Sequence, residues 1–231
     1  MWFRCPRSVP RTAVARQIVG AGSPVHRRRT IYHTPRHPPS MSKTRLEAFS
    51  DGVIAILITI MVLELRPPHG SDLLALRGLV PSFLSYLLSF IFLGIYWNNH
   101  HHMLNATERV NGAVLWANLH LLFWLSLVPF GTAWVGENHR AALPTALYGV
   151  LLACAGLAYS ILQTTIIRQQ GPGSKLAAAI GGDRKGKLSV VLYVSAIPLA
   201  FVEPAISDVI YAIVAAVWLI PDPRIERHIA H

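Results

Sequence analysis

The sequence predicts an all-α integral membrane protein with six transmembrane helices. Two observations carry that expectation. Of the residues, 52% are hydrophobic and 14% charged, with a mean hydropathy of +0.41. The apolar residues also gather into runs on the scale of a bilayer core, about 30 Å thick and crossed by about 20 helical residues.

Charge divides the chain into two parts. The formal net charge is +10, but eight of the 21 Lys and Arg residues precede Met41, where no acid occurs, leaving 13 basic residues against 11 acids afterwards. A nucleic-acid partner would need a basic surface with groove-reading elements, and none is visible beyond Met41. The two cysteines, Cys5 and Cys154, suggest neither a disulfide framework nor a zinc site, which needs closely spaced ligands.

Residues 1–40 are rich in Arg and Pro and lack a long apolar run, so they read as a disordered basic N-terminal extension. Met41 opens MSKTRLEAFSDG, which itself reads as a protein start. Residues 41–231 are expected to form one six-helix membrane domain.

The first span, Arg45 to Leu65, would cover about 30 Å at about 1.5 Å per residue. It carries Arg45, Glu47, Ser50, Asp51 and Thr59, although a charge at helix centre costs about 2.5–3.5 kcal/mol on insertion scales. At about 100° per residue, Phe49, Gly52, Ile56, Ile60 and Leu63 form one stripe with Thr59 at its edge. Ser50 and Asp51 point away from it. Periodicity alone leaves the stripe open to lipid contact, helix packing or a pore. Prolines 67 and 68 then end the helix.

A second span, about Leu79 to Trp97, begins near Pro81, where proline is tolerated. Its end, Tyr96-Trp97-Asn98-Asn99-His100-His101-His102, reads as an aromatic belt passing into the headgroups. Three successive histidines point in different directions, so solvent or headgroup contact is favoured over metal ligation. The third span, about Ala113 to Val135, carries Trp116, Asn118, His120 and Pro129, and the fourth runs from about Leu143 to Ile167. A Gly- and Lys-rich stretch after it reads as a flexible linker. The fifth and sixth spans, about Leu188 to Val202 and Ile206 to Ile220, are short, and Pro198 is expected to kink the fifth. Counted from Met41, loops on the amino-terminal side carry ten Lys and Arg against three opposite, which puts both termini in the cytoplasm by the positive-inside rule.

The segment RLEAFSDG, with Arg45, Phe49, Ser50, Asp51 and Gly52 in place, resembles the first-helix signature of the transmembrane protein 175 family, endosomal and lysosomal potassium channels and their bacterial homologues. The similarity runs from about Met41 to the C-terminus. It implies a moderately K+-selective channel in the cell membrane, a homotetramer whose first helices line a central pore. No second RLEAFSDG occurs, so one copy per chain would have to oligomerise to close a pore. Mapped onto the family pattern, Ile56 falls at a narrow hydrophobic constriction, followed by Ile60 and Leu63. Such rings select by forcing an ion to shed water. Thr59 either offers its hydroxyl to that ion or bonds back to the preceding turn.

Asp51 lies about 9 Å inside its helix, with Asn118 and His120 at similar depth in the third. A buried polar network of Ser50, Asp51, Asn118, His120 and Trp116 is therefore expected, offsetting the desolvation of Asp51. Arg45 at the helix foot could pair with Glu47, reach a neighbouring subunit or snorkel. No hydrolase or metalloprotease motif is present, so an enzyme is not expected. No cofactor is expected either, with K+ the permeant ion and the bilayer and other copies of the chain as partners. The alternative is a proton-coupled or metal-ion transporter using Asp51 and His120.

Overall fold

The computed structural model describes residues 42–180 and 183–219, and all regular structure among them is helical. The expected extension, residues 1–40, lies outside the described residues. Helix α1 spans Lys43–Ile60; Ser42 caps it by accepting a hydrogen bond from the Arg45 amide, and a 3-10 turn, Met61–Glu64, continues it. Leu46, Ser50, Ile54, Leu57 and Met61 form its buried face, packed on later helices.

Short α2, Leu73–Arg77, is capped by Asp72 and leads into α3, Val80–Asn105, with Pro81 in its first turn. The belt placed after Trp97 does not end this helix. Nothing from Asn98 to Asn105 is Gly or Pro, and polar side chains bond along the helix: Asn99 donates to the Ile95 carbonyl, and Asn105 meets His101. The helix thus runs on for two more turns.

The third span is interrupted. α4, Gly112–Ser126, stops at Leu127, whose amide bonds back to Trp124, and α5, Val128–Glu137, begins with Pro129 in its first turn. Proline supplies no amide to Leu125, so the ladder breaks there. The pair together still covers 26 residues.

Helix α6, Ala142–Gln170, ends at Gly171 with a positive φ of 92°. It packs against α4, α5, and the two later helices α8, Arg184–Leu199, and α9, Pro204–Leu219. A Cβ on Gly149 would strike the Tyr211 hydroxyl of α9, and one on Gly156 would crowd Val190 of α8. Small residues let helix backbones approach this closely. The expected flexible linker contains α7, Lys175–Ile180, with Leu176 buried. Asp183 caps α8 through the Gly186 amide, and burial pushes its carboxyl above the usual range. Pro198 sits one residue from the end of α8, so it accompanies termination.

Hydroxyls knit the outer parts together. Thr132 donates to Ser89 at 2.6 Å and Ser89 meets Tyr148 at 2.8 Å, joining α5, α3 and α6. Tyr211 donates to the Thr145 carbonyl, and Ser207 to that of Ala196. By length and composition, four segments are long and apolar enough to cross a membrane: Lys43–Glu64, Val80–Asn105, Gly112–Glu137 and Ala142–Gln170. α9 is apolar but has 16 residues, as does α8. At about 1.5 Å each they reach about 24 Å, short of a full untilted span.

Candidate functional site

The first helix presents two faces of unlike chemistry. Ile54 and Met61 are wholly buried, whereas on the opposite face Ile56 is 56% and Leu63 74% exposed within the single chain. Phe49, Gly52, Thr59 and Ile60 are exposed on that side as well. All the stripe residues named from periodicity thus share an uncovered face. Thr59 donates to the carbonyls of Ala55 and Ile56, both at 3.0 Å, so its hydrogen goes to its own helix and the oxygen lone pairs remain.

Behind the stripe lies a polar cluster. Asn118 of α4 donates through Nδ2 to Ser50 Oγ at 2.9 Å, and its Oδ1 meets His100 Nε2 at 2.7 Å. All three residues are fully buried. With the amide so oriented, Nε2 of neutral His100 carries the hydrogen. His100 Nδ1 is buried with no hydrogen-bond partner among the described residues. The cluster ties α1, α3 and α4 together, and its bonds satisfy groups that would each cost about 1–3 kcal/mol if left unpaired.

Other expected members lie elsewhere. Asp51 accepts from Trp97 Nε1 at 3.0 Å, and the Trp97 ring stacks on His101 with centroids 6.0 Å apart. His120 accepts from Trp124 Nε1 at 2.9 Å on an exposed part of α4, and Trp116 is 75% exposed. Depth along a helix does not fix azimuth: residues 118 and 120 lie about 200° apart, so they cannot both face α1. Arg45 is exposed and does not pair with Glu47, which meets Lys43 at 3.6 Å.

The expected network leaves out His100, which the sequence brings near it from the second helix, and Trp97. They stand three apart on α3, and that spacing points to a shared face once the helix is carried past Trp97. Among the described residues, no three His, Cys, Asp or Glu side chains converge as a metal site.

Residues 45–129 match the family model described as endosomal/lysosomal potassium channel TMEM175. A potassium channel of Chryseobacterium sp. (strain P1-3) is 54% identical over 81% of this chain and 97% of its own. The endosomal/lysosomal proton channel TMEM175 of Bos taurus is 30% identical over 80% of this chain and 42% of its own. The crystal structure of a lysosomal potassium-selective channel TMEM175 homolog from Chamaesiphon minutus superposes with a TM-score of 0.69 at 27% identity, covering 77% of this chain and 96% of that one.

Proposed function

The chain belongs to the TMEM175 family, and from that premise we propose that it is a K+ channel in which several copies set their first helices around a shared axis. The family is one of ion channels, not an enzyme class. The observation that carries the pore reading is the uncovered apolar face of α1, Phe49, Gly52, Ile56, Ile60 and Leu63, set against a rear face that is fully packed. In the proposed homotetramer, Ile56 forms the narrowest ring and Ile60 and Leu63 follow it outward. An apolar ring of this kind passes an ion that gives up water readily, and K+ holds its hydration shell less tightly than Na+. Selectivity is therefore moderate.

The six-span topology belongs to this proposal, with α8 and α9 as the two short spans, as do the cell membrane as location and cytoplasmic termini. The charge asymmetry of the loops supports that orientation. Asp51 and His120, the pair a proton-coupled transporter would use, bond separately to Trp97 and Trp124. That separation favours the passive channel.

Ile56→Asn tests the filter in reconstituted liposomes or planar bilayers. The expected outcome is K+ current that persists with a reduced K+ over Na+ permeability ratio. An unchanged ratio removes Ile56 as the filter, and uptake driven by a proton gradient in the unsubstituted protein favours the transporter.

A further inference from the structure

A cavity of about 470 Å³ opens at the end of the bundle where α3, α6 and α9 begin, and no residue of the α1 stripe lines it. One wall is apolar, built by Leu84, Leu87, Leu88 and Ile91 of α3. Against it stand two opposite charges: Arg140, with His139 beside it in the α5–α6 connection, and Asp208, one turn into α9. Arg140 and Asp208 line the same space, yet neither forms an ion pair among the described residues. Arg140 also holds a left-handed backbone, φ 65°, a conformation that glycine adopts with less strain.

A carboxylate partly buried beside an apolar wall needs a counter-charge or hydrogen-bond donors to offset its lost hydration. We propose that this cavity binds a phospholipid with a primary-amine headgroup, phosphatidylethanolamine, taken from the bilayer. Its phosphate accepts paired N–H bonds from the Arg140 guanidinium. The ammonium donates to Asp208, and an acyl chain covers the α3 wall. One zwitterion thus answers both charges and the apolar surface together. Phosphatidylglycerol supplies only the anion, and phosphatidylcholine has a cation without an N–H to donate. The inference goes beyond the channel reading and rests on the bundle, with α9 as one of its spans, being membrane-embedded.

The test is lipid retention by the purified full chain, measured by native mass spectrometry after incubation with vesicles of phosphatidylethanolamine, phosphatidylglycerol or phosphatidylcholine. Phosphatidylethanolamine should be retained most. Asp208→Asn should cut its retention about tenfold, the scale of one charged hydrogen bond, while leaving phosphatidylglycerol unaffected. Arg140→Gln should weaken both. Leu88→Trp, which fills the cavity from the apolar side, should lower all three with the melting temperature retained. Equal retention of the three lipids overturns the proposal, as does an ethanolamine preference that survives Asp208→Asn. So does a density map with a neighbouring copy of the chain in the cavity. Because retention is read without ion flux, its failure leaves the channel reading standing.

Discussion

At the scale of the residue, Asn118 is the joint of the molecule. Its amide uses both ends, one on Ser50 and the other on His100, in a site closed to solvent. Asn118→Ala would strand a hydroxyl and an imidazole, and we expect a loss of about 1–3 kcal/mol, seen as a lower melting temperature in detergent. Trp97→Phe keeps an aromatic ring but removes the indole N–H that donates to Asp51, along with part of the face that stacks on His101. We expect a cost of about 1.5–3 kcal/mol at most, since the acceptor is charged, reduced by its partial exposure. A double variant whose loss departs from the sum of the two single losses would place Asp51 in the same cooperative unit. Ser50 and Asn118 were legible as partners because both are polar residues at matching depth in apolar runs. His120 and Trp116 share that depth and nevertheless face elsewhere, since the choice between azimuths is made by packing, which a run of letters does not display.

At the scale of the element, the positions of the four long spans were written in the apolar runs, and the two faces of α1 in their periodicity. The break between α4 and α5 was less plain. Pro129 marked the place, but whether a membrane-length run bends or stops depends on the amide it fails to supply. The continuation of α3 through three histidines was hidden for a different reason: His100 turns inward to a partner on α4, so polarity there signals burial and not the headgroup region. The α6–α9 contact offers an element-level check. Gly149→Ala drives a methyl into the Tyr211 hydroxyl, and overpacking of this kind costs about 1–3 kcal/mol. Adding Tyr211→Phe removes the struck oxygen. The double variant should therefore recover part of the lost melting temperature, although it forfeits the bond to Thr145. No recovery would mean the two helices are held apart by something else.

At the scale of the whole molecule, the membrane-embedded helical class was legible from composition, whereas stoichiometry was not, because a single chain shows an uncovered face without showing what covers it. Leu63→Cys is the direct probe. If copies of α1 ring an axis, bifunctional thiol cross-linking in protein lacking both native thiols, Cys5→Ser and Cys154→Ser, should produce a two-chain adduct, the most that one thiol per chain allows. Monomer alone would place the stripe against lipid. The cluster behind that stripe also limits how such an assembly could move. Twisting the inner helix about its own length would drag Ser50 off Asn118, exchanging buried bonds for none. In the proposed assembly, α1 would lean or slide outward as one piece with α3 and α4, in the manner of an iris whose blades carry their mounts.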